Sequence, residues 1–121
     1  MRNTRIEVHP LTAVIGAEVH GVDLKDPMDD TTFEQVHAAL LEHLVIFFRD
    51  QDITSEQHLE FGRRFGALHL HPSAPMIDNN PELMKIHADA TSPFAEGTNW
   101  HTDVSSDEEP PMASILRLTT V

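Results

Sequence analysis

The sequence predicts an α+β fold on three observations. Short runs rich in β-branched and aromatic residues lie beside stretches of helical periodicity, both helical stretches open on capping-box spacing, and Pro, Gly and Asn punctuate the intervals. The chain has 121 residues, 40% of them apolar. At that length a domain buries roughly two-thirds of its unfolded surface, so one domain over 1–121 has a core without metal or disulfide staples.

Residues 5 to 24 read as two strands, Arg5 to Val8 and Val14 to Val19, joined through His9-Pro10-Leu11-Thr12 and followed by a turn at His20-Gly21. Gly16, between Ile15 and Val19, suggests a bulge or a close backbone approach. Asp26-Pro27 marks a loop. Thr31-Thr32-Phe33-Glu34 then has capping-box spacing, and Phe33, Val36, Leu40 and Leu41 recur at helical spacing as far as about Glu42. Leu44-Val45-Ile46-Phe47-Phe48 is a continuous apolar run, as expected of a central strand covered on both faces. A second capping box, Thr54-Ser55-Glu56-Gln57, opens a helix carrying Leu59, Phe61 and Phe65 and closed by Gly66. Residues 67 to 81 read as loop, Leu83 to His87 as a short strand, 90 to 98 as loop, and Ala113 to Val121 as a strand.

Composition narrows the function classes. Twenty acidic against eight basic residues give a net charge of -12, which repels phosphate backbones, so nucleic acid is not an expected partner. No apolar run reaches membrane-spanning length and no signal peptide is evident, so neither membrane insertion nor secretion is expected and the cytoplasm is the expected compartment. Zero cysteine excludes thiol catalysis and Cys-type zinc sites. Small molecules or proteins remain, and a homo-oligomer stays open.

Histidine stands out, with nine copies, four of them in the loop-rich stretch from His69 to His101. His69-Leu70-His71 has the spacing of half a zinc site, though no third ligand is specified. His87-Ala88-Asp89 and His101-Thr102-Asp103 are His-x-Asp triplets, which on a strand aim an imidazole and a carboxylate the same way. Two His and one carboxylate on one face of an octahedron leave three positions open, as non-haem Fe(II) chemistry with O2 requires. The triplet is cheap, as its duplication shows; an isolated one is ordinarily a loop histidine beside a turn aspartate.

Context separates the two. Asn99-Trp100-His101-Thr102-Asp103-Val104, followed by Pro110-Pro111 and Ala113 to Leu118, resembles the iron-binding segment of the TauD/TfdA family of taurine dioxygenase-like, 2-oxoglutarate-dependent Fe(II) oxygenases. Pro10-Leu11, Ile15-Gly16-Ala17-Glu18 and Gly21-Val22-Asp23-Leu24 resemble its opening strands, Phe33 to Gln51 its first helix and central strand, and Arg64-Phe65-Gly66 with His69-Leu70-His71-Pro72 the close of its second helix and its substrate loop.

The resemblance implies the N-terminal part of a double-stranded β-helix, or jelly roll, with flanking helices, incomplete in this chain. It implies that His101 and Asp103 bind Fe(II), that His71 holds the anionic head of a substrate, and that 2-oxoglutarate and O2 are co-substrates. His87 and Asp89 match no family ligand. Where the family's taurine enzymes carry a tyrosine, an asparagine and an aromatic residue, this sequence has Ala74, Gly97 and Ser106. The implied substrate is therefore another small anion: a sulfonate, sulfate ester or carboxylate. The family's distal histidine, its 2-oxoglutarate-binding arginine and its Gly-Gly-Asp-Thr segment have no counterpart up to Val121, so an inactive N-terminal portion is expected. Two competitors stand beside this: a non-catalytic fragment or interaction module that needs a partner chain, and a His-only divalent metal binder using His69, His71 and His101.

Overall fold

The computed structural model describes residues 5–70, 76–77, 80–93 and 99–119. The chain divides into two compact units, Met1–Phe65 and Gly66–Val121.

In the first unit, β1 (Glu7–Pro10) and β2 (Ala17–His20) pair antiparallel, with Glu7 opposite His20 and Pro10 opposite Ala17. The hairpin sits about two residues later than its sequence predicts. Proline lacks a ladder donor, but β1 lies at the edge of the sheet, where Pro10 can end a strand without breaking one. The connection is instead 11–16: Leu11 N–H donates to Gly16 O at 2.9 Å, and the Thr12 hydroxyl accepts from Ile15 N–H at 3.0 Å. Gly16 has φ +91°, the left-handed region where a side chain is strained.

Helix α1 spans Asp30–His43, and its N-cap is Asp29, whose carboxylate accepts from Thr32 N–H at 2.7 Å. The expected Thr31/Glu34 box gives way to this upstream residue, a side chain of equal or better capping strength. Thr32, Val36 and Ala39 are buried, while Leu41 points outward at 62% exposure. Leu44 then takes φ 67° and donates its N–H to Leu40 O at 2.8 Å, reversing the chain in a position that ordinarily favours glycine.

That reversal shortens the apolar run. Only Ile46–Phe47 forms a strand, β3, and it pairs parallel with β2 at the edge of a sheet ordered β1-β2-β3. The expected central strand over 44–48 is therefore corrected: β2 is central, and Leu44, Val45 and Phe47 are exposed. Arg49 secures the following residues by pairing with Glu18 at 2.9 Å. The guanidinium, more than the neighbouring His20, holds the Glu18 carboxyl below its ordinary range.

Helix α2 (Ser55–Arg63) has the capping box its sequence specifies. Gln57 N–H donates to the Thr54 hydroxyl at 3.2 Å, and Thr54 N–H donates to the Gln57 side chain at 2.8 Å. The core of this unit joins Ile6, Val19, Val36, Ala39 and Phe61, with Val8, Ile46, Phe48 and Phe65 packed against it. Phe61 meets Phe48 and Phe65 edge-on, with centroids 5.6 and 5.3 Å apart. Burying each large side chain contributes about 1.5–3 kcal/mol, before the ordering entropy that opposes it. Arg64, just past α2, donates to Met28 O and to the Asp30 carboxylate, each at 3.0 Å, and stacks over Phe33.

In the second unit, β4 (Met76–Ile77) pairs antiparallel with β5 (Asn80–Met84) through an irregular register. The strand expected at Leu83 to His87 thus begins earlier and ends at Met84. Among the described residues, 85–93 and 99–119 form no helix or strand, so the strand expected from Ala113 is absent over 113–119. Alternation alone does not make a strand, which needs a continuous ladder of backbone bonds to a neighbour. The α+β character stands: a small mixed sheet, a two-stranded ladder and two helices. Among the described residues, no helix is long and apolar enough to cross a membrane.

Candidate metal centre

His101 and Asp103 lie in an irregular segment, not on the strand that would make alternate side chains parallel. They nevertheless meet: His101 Nε2 stands 3.3 Å from Asp103 Oδ1, with both side chains about half exposed. The chain turns immediately after Asp103. Val104 adopts φ 51°, rare for a β-branched residue, and its carbonyl accepts from Asp107 N–H at 3.3 Å. The Thr102 and Ser105 hydroxyls close the same turn by bonding to each other.

The other ring nitrogen sets the chemistry. His101 Nδ1 lies 2.6 Å from Asn99 O, an atom that only accepts, so Nδ1 carries a proton. In the neutral ring Nε2 then presents a lone pair, facing a carboxylate oxygen that also presents one. Two acceptors at 3.3 Å are stable only with a cation between or beside them, either a proton on Nε2 or a metal ion. Adjacent ligands on a divalent ion, each bonded at about 2.1 Å, stand roughly 3 Å apart, so the pair fits two neighbouring coordination positions. Asp103 Oδ2 accepts from the Ser114 hydroxyl at 2.9 Å. Among the described residues, no three His, Asp or Glu side chains converge as a complete ligand set.

The remaining candidates fall elsewhere. His71, Ala74 and Gly97 lie outside the described residues. His69 pairs with Asp107 at 3.0 Å and His101 with Asp103, so the two described members of the His-only set each have a carboxylate partner. His87 lies 3.1 Å from Asp89, but that carboxylate belongs to a local turn: it accepts from Thr91 N–H at 2.8 Å and from the Thr91 hydroxyl at 2.6 Å. The Thr91 donors, with His87 after them, hold Asp89 far below the ordinary carboxylate range. Sequence reasoning missed Ser114 and the His69–Asp107 pair. Neither has a local spacing signal, because each joins segments distant in sequence.

Residues 7–121 match the Taurine catabolism dioxygenase TauD, TfdA family. The chain belongs to the TauD/TfdA family. An alpha-ketoglutarate-dependent sulfate ester dioxygenase of Pseudomonas putida is 39% identical to this TauD/TfdA chain over 113 residues, covering 93% of the chain and 36% of that protein. The chain thus spans little more than a third of that relative's length. A crystal structure of a taurine dioxygenase from Burkholderia xenovorans superposes with a TM-score of 0.69 at 41% identity, covering 88% of this chain and 37% of the other. A structure of AAD-2 in complex with Mn(II) and N-oxalylglycine gives a TM-score of 0.50 at 34% identity, over 51% of this chain and 25% of the other.

Proposed function

We propose that this chain is the N-terminal part of an Fe(II)- and 2-oxoglutarate-dependent dioxygenase built on a jelly roll, with His101 and Asp103 as two of its iron ligands. One observation carries the assignment: with Nδ1 donating to Asn99 O, His101 Nε2 stands 3.3 Å from Asp103 Oδ1, the spacing of two neighbouring ligands on one metal ion. Family membership supports iron and 2-oxoglutarate, and the Mn(II) complex of a structural neighbour supports a divalent ion in this fold. When bound, Fe(II) with 2-oxoglutarate supplies activation of O2 for oxidising the substrate. The chain's own residues supply position. Asn99 O orients the imidazole, and Asp103 brings a negative charge that attracts a cation. The family resemblance implies that a third protein ligand and the oxoacid-binding residues belong to the part of the relatives that this chain does not cover.

The substrate is a small organic anion, with His71 as its anchor. Support comes from the sulfate ester dioxygenase relative and from the sequence, where Ala74 and Gly97 replace polar partners of the taurine enzymes. At a net charge of -12, an anion needs a local donor, and an imidazole is such a donor. Anaerobic titration of the protein with Fe(II) and 2-oxoglutarate tests the assignment. A visible charge-transfer band that His101→Ala and Asp103→Ala each abolish is expected; no band, or one indifferent to both variants, overturns it.

A second reading, a non-catalytic interaction module, is favoured by Leu116 and Leu118, exposed at 79% and 85%. Size-exclusion chromatography separates the two: this reading expects association or instability in isolation, and a cooperative monomer that binds Fe(II) counts against it.

A further inference from the structure

The two oxygens of Asp103 have different surroundings. Oδ1 faces His101 Nε2 at 3.3 Å, whereas Oδ2 accepts the Ser114 hydroxyl at 2.9 Å. We propose that Ser114 is a positioning residue that holds the Asp103 carboxylate as a one-oxygen metal ligand. This rests on the metal-binding reading above.

Asp89, the carboxylate of the other His-x-Asp triplet, takes its partners from residues 87 to 92, including a backbone N–H, as a turn-forming aspartate does. Asp103 is held by a hydroxyl eleven residues away, on a different segment. That bond closes no local turn. Its effect is to restrain the carboxylate's rotation, while the left-handed Val104 immediately after Asp103 restrains the backbone that carries it.

The chemical consequence concerns coordination number. A carboxylate binding through both oxygens occupies two positions on a metal ion, and through one oxygen a single position. Two His and a one-oxygen carboxylate leave three positions of an octahedron free, enough for a two-atom co-substrate contact and O2; two-oxygen binding removes one of them. To bind through Oδ2 as well, Asp103 must turn the oxygen whose orientation the Ser114 hydroxyl fixes and share it with that bond, which favours binding through Oδ1 alone. Partners of metal-binding carboxylates are typically worth about tenfold to hundredfold in affinity.

Co(II) titration of the protein, followed by its visible d–d absorption, tests this. Ser114→Ala is expected to weaken Co(II) binding about tenfold or more and to alter the intensity of the absorption, which reports coordination number; Ser114→Thr, which keeps the hydroxyl, is expected to restore both. Circular dichroism of each variant separates loss of fold from loss of metal. If Asp103→Ala abolishes binding while Ser114→Ala leaves affinity and spectrum unchanged, the role of Ser114 is overturned and the metal site stands. Equal losses in Ser114→Ala and Ser114→Thr with native circular dichroism also overturn it. If Asp103→Ala binds Co(II) as the parent does, both the site and the inference fall.

Discussion

Gln51 reaches back along the chain to Leu24, whose backbone N–H donates to the Gln51 side-chain oxygen at 2.7 Å. The amide nitrogen of the same side chain donates to Val22 O at 3.1 Å and to Arg49 O at 3.0 Å. One side chain therefore satisfies three backbone groups on two segments that make no regular ladder with each other. Gln51→Ala leaves the part-buried groups without partners and is expected to destabilise the protein by about 1–3 kcal/mol in chemical denaturation.

Asp29 links the start of α1 to pH. The hydroxyl and N–H of Thr32 hold its carboxyl below the ordinary range. A folded value below the unfolded one, about 3.9, means that the contribution is complete above the unfolded value and disappears as pH falls through the folded value. Asp29→Asn keeps a capping oxygen but cannot titrate, so it is expected to flatten the acid limb of the stability profile. Asp29→Ala loses the cap outright and is expected to lower stability at neutral pH as well.

Val104 carries backbone strain beside the His101–Asp103 pair, at φ 51°. Asparagine tolerates that region better than a β-branched residue does. Val104→Asn is expected to raise stability by about 1 kcal/mol in thermal denaturation, and a loss of stability of that size contradicts the strain.

His87 and Asp89 provide the matched control for His101 and Asp103. Because Thr91 already occupies the Asp89 carboxylate, His87→Ala is expected to change Fe(II) or Co(II) affinity by less than about twofold. His101→Ala is expected to lower it about tenfold or more.

What the sequence made legible was the local chemistry. The Thr54–Gln57 box is side chain to backbone over three residues, and it is present as the spacing specifies. Thr31 and Glu34 have the same spacing but lose the helix start to Asp29, because the choice between overlapping caps depends on where the chain enters the helix. The apolar run at 44–48 carries no record of its rank in a sheet; Leu44 leaves the strand geometry altogether, and β3 ends at an edge. At the candidate site, the meeting of His101 and Asp103 follows from their closeness in sequence, even without the strand invoked for it. Ser114 was invisible for the opposite reason, since only the folded loop brings it to Asp103.

The parallel pairing of β2 with β3 also orders events in time. Parallel neighbours cannot be joined by a tight turn, so the chain travels out through α1 and back before Ala17 can meet Ile46. Closing such a circuit is entropically slower than zipping the β1–β2 hairpin or winding a helix. In pulse-labelling hydrogen exchange, the Ala17 amide, bonded to Val45 O at 3.0 Å across that seam, is expected to gain protection after the amides of the hairpin and of α1, and to be among the first to lose it when the protein breathes.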